Sequence, residues 1–431
     1  MLKKLFGFDK KAMNLKTELL AGLTTFLTMS YILAVNPDIL GTTSMDKGSV
    51  FTATALSSAV ATLLMAFIAK MPFALAPSMG INTFFAFTLV QGMGYSWQSA
   101  LAIIFVEGII FILITLGNIR EKIVDSIPPN LRYAISVGIG MFIAFIGLKN
   151  AGIIVASPAT FVTLGKFTPT ALLAFFGILV SGALLWKQVR GALFISIILC
   201  TLLGIPLGVT SLPENFLPVS VPQSLEPTFL KFDFAPLLNF DTFIIILILI
   251  FMDIFNTVGT LIGAAAQANL LDKKGNLPGM KQAMLADAIG TTFGSVCGTS
   301  TVCTYVESAA GIAEGGRSGL TAATTGALFL LALFFSPLFL LVPGAATTGS
   351  LFVVGVMMMK SIKEVQLTDL SEALPAFTII LTIVLTYSIA EGITLGMLSY
   401  TLMKVLTGQF RQISPTLYVL SVLFVLRYVF G

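Results

Sequence analysis

Four acidic residues lie inside long apolar runs of this chain, namely Glu107, Asp253, Asp287 and Glu307. A fifth acid, Glu391, lies at the end of a later run. No Lys or Arg occupies the interior of these runs to neutralise the first four. An unpaired carboxylate among apolar residues is energetically costly, so an acid retained there is by default a candidate for a binding site or a proton relay.

The sequence around two of these acids favours a binding role. Glu307 lies within CGTSTVCTYVESAAGIAEGGRSG, whose small residues allow a ligand or a neighbouring backbone to approach the carboxylate. Asp253 shares one helix face with Asn256 and Thr260, because the spacings are three and four residues. We therefore predict that Asp253 and Glu307 belong to one site.

Glu107 and Asp287 lie in ordinary helical sequence, IFVEGIIF and MLADAIG. We interpret them mainly as structural acids that are protonated and hydrogen-bonded to a neighbouring helix. Asn82, in GINTFF, is an amide near the start of a predicted half-helix. It can contact a ligand, or it can cap a helix or bond between helices.

The composition indicates that the protein carrying these residues is a membrane protein. The chain has 431 residues, of which 56% are hydrophobic and 10% charged, whereas an ordinary soluble protein is about 25% charged. It has no His, which excludes His-based metal sites and His proton relays. Cys200, Cys297 and Cys303 have neither metal-ligand nor disulfide spacing. We expect no metal and no cofactor.

Recurrent apolar runs predict 14 transmembrane helices. The first seven are about 18–36, 50–69, 77–91, 98–117, 132–148, 168–186 and 190–208. The second seven are about 241–268, 282–296, 304–315, 318–336, 343–359, 373–388 and 391–406. The longest polar connection, about 209–240, separates two halves of seven spans. Because seven is odd, the halves must have opposite orientations, as in the inverted repeats of secondary transporters. We expect the segment 415–431 to be an interfacial helix.

The positive charges set the orientation of these spans. With the N-terminus inside, only Lys47, Lys149, Lys166 and Lys231 of the 24 Lys and Arg fall on outer connections, and Arg427 is unassigned. Cytoplasmic connections of membrane proteins are rich in Lys and Arg. We therefore predict that both termini are cytoplasmic.

Spans 3 and 10 are predicted to be broken. Pro72 and Pro77 bracket FALA in MPFALAPSMGINTFFAF, so Phe73–Ala76 should be extended. The β-branched, Gly-flanked run GTSTVCTYV predicts a second extended segment, Thr299–Cys303. Two such strands at membrane depth would pair and satisfy each other's backbone groups. A site with two acids and no cation disfavours anions and suits a neutral, planar ligand rich in hydrogen-bond donors.

Three stretches resemble the signature regions of azaguanine-type purine permeases: APSMGINTFFAF, FMDIFNTVGTLIGAA and TSTVCTYVESAAGIAEGGRSGLTA. These permeases form the hypoxanthine/guanine/adenine branch of the nucleobase–ascorbate, or xanthine/uracil permease, family. The resemblance implies 14 spans in a core and a gate domain, strands in spans 3 and 10, purine–proton symport, and a homodimer held through the gate domains. It places critical residues at Asn82, Asp253 and Glu307. Members often carry a second Asp where this chain has Asn256.

The sequence thus predicts an all-α multi-pass membrane protein with two inverted seven-span repeats and two short antiparallel strands. The core would comprise residues 1–131 and 241–336, and the gate 132–240 and 337–431. The expected function is import of neutral purine bases by proton symport across the cell membrane, with sodium as an open alternative for the coupling ion and no nucleic-acid partner. An anion transporter on the same fold is the main alternative, and an intramembrane enzyme is disfavoured because no nucleophile has an evident base.

The candidate site residues follow from these arguments together. The predicted substrate-binding residues are Glu307, Asp253, Asn82, Asn256, Thr260, Thr304 and Ser78. Of these, Asp253 and Glu307 are also predicted to carry the coupling proton.

Overall fold

The computed structural model describes residues 2–8, 13–117, 128–213, 217–267, 270 and 277–430. Within them the chain is largely helical, with two pairs of short antiparallel strands. A helix satisfies its own backbone groups, which is why a chain this apolar folds into helices in lipid. Position 268, at the end of the predicted eighth span, lies outside the described residues. So do six basic residues that were predicted on inner connections: Lys10, Lys11, Arg120, Lys122, Lys273 and Lys274.

The α-helices are numbered here in chain order. Those of the first half are α1 Leu2–Phe6, α2 Leu15–Met29, α3 Ile32–Gly41, α4 Lys47–Leu64, α5 Met79–Thr83, α6 Trp97–Leu116, α7 Pro129–Asn150, α8 Pro169–Trp186 and α9 Ala192–Gly204. Those of the second half are α10 Phe240–Gln267, α11 Met280–Cys297, α12 Ser308–Ala313, α13 Gly319–Ala332, α14 Ser336–Leu340, α15 Gly344–Met358, α16 Leu370–Leu385, α17 Ile389–Leu406 and α18 Pro415–Phe430. Two π-helical segments, Met65–Ala69 and Phe84–Gly92, extend α4 and α5.

Among the described residues, eight helical stretches are long and apolar enough to cross a membrane, and three shorter apolar helices accompany them. The multi-pass, mainly helical membrane fold with strands in spans 3 and 10 is confirmed. Each predicted span coincides with one or two apolar helices or with a strand followed by a short helix. The total of 14 crossings remains a prediction, and so does the interfacial placement of α18.

The first span differs from the continuous helix that the sequence predicted. It is interrupted at Ser30 and Tyr31, between α2 and α3. The last α-helical hydrogen bond of α2 runs from the amide of Ser30 to the carbonyl of Phe26 at 2.8 Å, and α3 contains Pro37. This break turns the Tyr31 side chain into the interior, where it is 1% exposed.

The two broken spans meet through their strands. Strand β1, Leu75–Pro77, pairs antiparallel with strand β4, Val302–Thr304, and Ala76 lies opposite Cys303. The pairing continues at both ends. The amide of Ser78 donates to the carbonyl of Thr301 at 2.9 Å, and the amide of Tyr305 donates to the carbonyl of Ala74 at 3.0 Å. The predicted pairing is confirmed.

The strand positions needed correction. Each strand lies one to three residues later than the extended segments predicted over 73–76 and 299–303. Pro77 belongs to the strand instead of terminating it, because a proline at a strand end gives up a ladder donor that is not required there. A hairpin, β2 Ile154–Ser157 with β3 Phe161–Leu164, lies after the fifth predicted span and was not predicted.

The long helices pack into two groups. In one group α11 packs against α4 and α6, and α13 packs against α2 and α4. In the other, α15 packs against α7, α8 and α9, and α16 packs against α7 and α17. The second group uses glycines for close helix approach: a Cβ added at Gly349 of α15 would lie 2.5 Å from the carbonyl oxygen of Gly177 in α8.

This contact generates a stability prediction. We expect Gly349→Ala to lower the free energy of unfolding by about 1–3 kcal/mol, because the added methyl meets backbone that cannot move aside without separating two helices. Gly182→Ala on α8 is the matched control, since a Cβ there meets nothing within 4 Å. It should leave stability unchanged or raise it by about 0.5–1 kcal/mol. Thermal unfolding in detergent measures both, and equal melting temperatures for the two variants would contradict the packing.

Candidate functional site

The candidate site lies where the paired strands pass into short helices. Ser78, in an extended conformation, precedes α5, and Glu307 precedes α12. The long helix α10 carries Asp253, Asn256 and Thr260 past this crossing. Three separate segments of the chain therefore contribute to one region.

Glu307 is held by a tyrosine from the first span. The hydroxyl of Tyr31 donates to Oε1 of Glu307 at 2.7 Å. Tyr31 is buried, whereas Glu307 is half-buried. One carboxylate oxygen is thus oriented by the protein while the side chain still reaches open space. Tyr31 was not predicted as a site residue, because a tyrosine inside an apparently continuous helix gives no sign of a break.

Asn256 links α10 to both broken spans. Its amide nitrogen donates to Ser78 Oγ at 3.1 Å and to Cys303 Sγ at 2.9 Å. Ser78 precedes α5, and Cys303 is the central residue of β4. The structure therefore brings two predicted site residues together and adds Cys303, which sequence reasoning had considered only for metal-ligand or disulfide spacing.

The other predicted polar residues lie around this contact. The hydroxyl of Ser300 donates to Oδ1 of Asn82, which is fully buried, while Nδ2 of Asn82 has no hydrogen-bond partner among the described residues. Thr304 ends β4, and its buried hydroxyl likewise has no such partner. Thr260 is half-buried on α10.

Asp253 belongs to a group of acids that we call the carboxyl cluster: Glu107, Asp253 and Asp287. All three are fully buried. Thr301 donates to Glu107 Oε2 and Thr257 donates to Asp287 Oδ2, each at 3.0 Å. The cluster is formed by α6, α10 and α11.

The surroundings of Asp253 determine which protonation state the cluster favours. Its carboxyl lies close to the carboxyls of Glu107 and Asp287 and to the hydroxyl of Thr257. Neither oxygen accepts a hydrogen bond from a hydroxyl, amide or cation of the described chain. The salt bridges between described residues join Lys47 to Asp38, Arg190 to Glu314 and Lys404 to Glu372, so none neutralises the cluster. Enclosed carboxyls without a cation partner are favoured in the protonated form.

This arrangement changes how Glu107 and Asp287 are viewed. The sequence favoured a structural role for both, yet their carboxyls are part of the environment of Asp253 and cannot be treated apart from it. Thr301 also connects the cluster to the broken span, because its carbonyl accepts from Ser78 and its neighbour Ser300 contacts Asn82.

Comparison with known proteins gives matches over the whole chain. The model of the Permease family, Xan_ur_permease, matches residues 16–395. The chain is 42% identical over 431 residues to the adenine permease AdeP of Escherichia coli (strain K12), covering 100% of this chain and 96% of that protein. It is also 42% identical over 441 residues to the guanine/hypoxanthine permease PbuG of Bacillus subtilis (strain 168), covering 100% of each.

Among solved structures, the transmembrane domain of the cyanobacterial bicarbonate transporter BicA superimposes with a TM-score of 0.67. The superposition covers 89% of this chain and 97% of that one, at 16% sequence identity. A likeness at this level of identity concerns the fold alone.

The protonated form favoured in the carboxyl cluster generates a second prediction. In Glu107→Gln, the amide can accept from Thr301 and donate permanently to Asp253. We expect the free energy of unfolding at neutral pH to rise by about 1 kcal/mol, because a fixed donor replaces one that depends on a proton. Chemical or thermal unfolding measures the change.

Glu391→Gln is the control for this measurement. Glu391 is a half-buried acid in the first turn of α17, bonded to Tyr428, and lies outside the cluster. Its substitution should leave stability within about 0.5 kcal/mol of the parent. A loss of stability in Glu107→Gln alone would mean that Glu107 is needed as an anion, contrary to the interpretation that the cluster is protonated.

Proposed function

The chain belongs to the Permease family, and from that premise we propose that it is a secondary active transporter that imports neutral purine nucleobases by proton symport. The observation that carries this proposal is the contrast between a half-buried carboxylate held by Tyr31, Glu307, and a fully buried cluster of three carboxyls. One group suits a ligand and the other a coupling proton. The relatives named as adenine and guanine/hypoxanthine permeases support a purine base as the ligand.

In this proposal the base binds beside the strand crossing. Glu307 accepts hydrogen bonds from ring N–H or exocyclic amine groups, while Tyr31 fixes the orientation of the carboxylate. Asn256 provides a second polar contact from α10, and Asn82 supports the strand crossing through Ser300. A neutral base avoids placing a second negative charge beside Glu307.

The coupling proton is assigned in this proposal to the carboxyl cluster, with Asp253 at its centre. In this proposal, the contact of Thr301 with Glu107 couples protonation of the cluster to binding of the substrate. The segment that contains Thr301 leads into β4, and the Thr301 carbonyl accepts a hydrogen bond from Ser78. Protonation of the cluster would alter the acceptor that Thr301 uses and therefore the position of the strand that carries Cys303. We propose the proton over sodium because burial of carboxyls without a cation partner favours their protonated form.

Transport would proceed by alternating access between two domains. We propose that residues 1–131 and 241–336 form the core and that 132–240 and 337–431 form the gate, in an inverted-repeat arrangement. The two packing groups of helices support this division. An ion pair between Arg190 and Glu314 joins the two domains on the side proposed to be cytoplasmic. We further propose cytoplasmic termini, insertion in the cell membrane and a homodimer formed through the gate domains.

The alternative function is anion transport or exchange on the same fold. The fold is similar to that of the transmembrane domain of a bicarbonate transporter. The chemistry of the site disfavours anion transport. Glu307 and any ionised acid of the carboxyl cluster would repel an anion, and the salt bridges of Lys47, Arg190 and Lys404 are made with acids outside the cluster. Permease chemistry also leaves the ligand unchanged, which separates it from an enzyme.

Uptake into proteoliposomes tests the proposed function. We expect labelled hypoxanthine or adenine to accumulate when an inward proton gradient is imposed and to be recovered unchanged, and we expect labelled sulfate not to accumulate. A proton uncoupler should abolish accumulation, and replacing sodium with potassium should not. Sulfate uptake, chemical conversion of the base, or dependence on sodium would each contradict a distinct part of the proposal.

Glu307→Gln tests the binding role of the carboxylate. The substitution keeps the size of the side chain but replaces one acceptor oxygen with a donor, so that a ligand N–H would face an N–H. Leaving such a buried donor unpaired costs about 1–3 kcal/mol, which corresponds to a loss in affinity of roughly tenfold to more than hundredfold. Calorimetric titration of the purified protein with hypoxanthine, adenine and guanine measures it.

Glu391→Gln serves again as the control and should bind within a few-fold of the parent. Binding measured in detergent does not depend on a proton gradient, so it separates affinity from coupled turnover. If Glu307→Gln binds all three bases as tightly as the parent, the carboxylate does not hold the ligand.

A further inference from the structure

We propose that Phe87 and Tyr387 form the outer gate of the transport path, and that their rings separate and meet again in each transport cycle. This inference rests on the proposed function and on its division of the chain into a core and a gate domain. It adds a pair of residues that control when a ligand can reach the site from outside, without binding the ligand themselves.

The ring of Tyr387 lies at the centre of an aromatic cluster that joins the two domains. Its centroid is 5.8 Å from that of Phe87, at an interplanar angle of 75°. Phe142 and Phe145 approach the same ring at 5.0 Å and 6.0 Å, also edge to face. Phe87 belongs to the proposed core, whereas the other three residues belong to the proposed gate. Of these ring contacts, the one between Phe87 and Tyr387 therefore crosses from one domain to the other.

In the predicted topology, Lys149 assigns this cluster to the outer side of the membrane. Lys149 is exposed and is one of the four basic residues predicted on outer connections. Its ammonium lies 4.6 Å from the centre of the Tyr387 ring and 5.9 Å from that of Phe87, within the range of cation–π contacts. The ammonium thus covers the rings on their solvent side and contacts both domains.

The backbone holds Tyr387 in an unusual conformation. Tyr387 lies between Thr386, which ends α16, and Ser388, whose side chain caps α17 by accepting from the amide of Glu391. Its φ of 57° lies in the left-handed region, which is unfavourable for a residue with a bulky side chain. Such a conformation persists only where its surroundings fix it, and it is typical of functional sites. The turn presents the Tyr387 ring to Phe87.

Phe87 belongs to the same broken span as the candidate site. Ser78 precedes α5, and the π-helical segment Phe84–Gly92, which contains Phe87, follows this helix directly. π-helical turns are rare and frequently occur at functional sites. Because this span moves with the core in the proposed alternating access, a displacement of the site relative to the gate also displaces Phe87 from Tyr387.

The burial of the neighbouring residues agrees with a gate that is closed on the outer side. Residues 83–89, which lead from the site to the outer end of span 3, are all buried. Towards the inner end of α10, Asn256 and Thr260 are half-buried, and Val306, beside Glu307, is 50% exposed. Closure by the aromatic cluster on one side thus accompanies access from the other side, as alternating access requires.

Crosslinking in the full-length protein tests this inference. Phe87→Cys and Tyr387→Cys are combined and joined by a short bifunctional methanethiosulfonate, while the native cysteines, which are buried, are retained. We expect the crosslink to lower uptake of labelled hypoxanthine into proteoliposomes about tenfold or more, because the outer gate can no longer open. Reduction with dithiothreitol should restore uptake. Binding of hypoxanthine in detergent should persist, because the site stays open on the inner side. Mass spectrometry verifies the crosslink.

Phe145→Cys combined with Tyr387→Cys is the matched control, since both residues lie in the gate domain and their rings are 6.0 Å apart. Crosslinking this pair should leave uptake unchanged, as should treatment of the parent protein with the reagent. A crosslink between positions 87 and 387 that permits uptake, or its failure to form in the folded variant, would overturn the inference and leave the proposed function intact. A parent protein that takes up no purine would overturn both.

Phe87→Ala provides a second measurement, which decides the matter if the cysteine variants do not fold. Loss of one edge-to-face pair should shift the equilibrium about two- to tenfold towards the outward-open state. The half-saturating concentration of hypoxanthine in uptake should fall by a similar factor, because more of the protein can bind the base from outside. Phe145→Ala should keep the parental concentration. A lower maximal rate with an unchanged half-saturating concentration in Phe87→Ala would indicate a purely structural role and would overturn the inference.

Discussion

The fold depends on the antiparallel pairing of β1 with β4. A helix broken in the middle of a membrane leaves backbone amides and carbonyls that lipid cannot satisfy. In this protein each broken span supplies partners for the other, from Ala74 opposite Tyr305 to Ser78 opposite Thr301. Further bonds fix the crossing, including one from the Tyr305 hydroxyl to the carbonyl of Pro77 at 2.6 Å. The candidate site is possible only because this pairing makes two helix breaks at membrane depth stable.

The same crossing separates the buried acids into two environments. Glu307 is half-buried beside Tyr31, whereas the carboxyl cluster is fully enclosed. An enclosed cluster of three acids is tolerated only if it binds protons, since full ionisation would place like charges together away from water. A half-exposed carboxylate can retain its charge and exchange partners. Different burial thus gives carboxyl groups of the same chemistry different capabilities.

The comparison with the bicarbonate transporter shows how one architecture can serve different ligands. The two chains share a fold at 16% identity. What would distinguish their substrates is the chemistry placed on that fold, because function resides in the site and not in the arrangement of helices. In this chain the site is acidic, and its partners are hydroxyl, amide and thiol groups. A neutral ligand with several donors is complementary to such a site.

The sequence by itself determined the membrane fold, the breaks in spans 3 and 10, and the acids that occupy apolar runs. These are local properties: hydropathy, the absence of an N–H in Pro72 and Pro77, and the cost of a buried charge do not depend on distant residues. Only the tertiary structure decided that Glu107 and Asp287 join Asp253. It alone showed that Tyr31 holds Glu307 across 276 positions of sequence. It also decided the use of Cys303 by Asn256, because such contacts arise from helix rotation and strand register, and no local pattern encodes which side chains will meet.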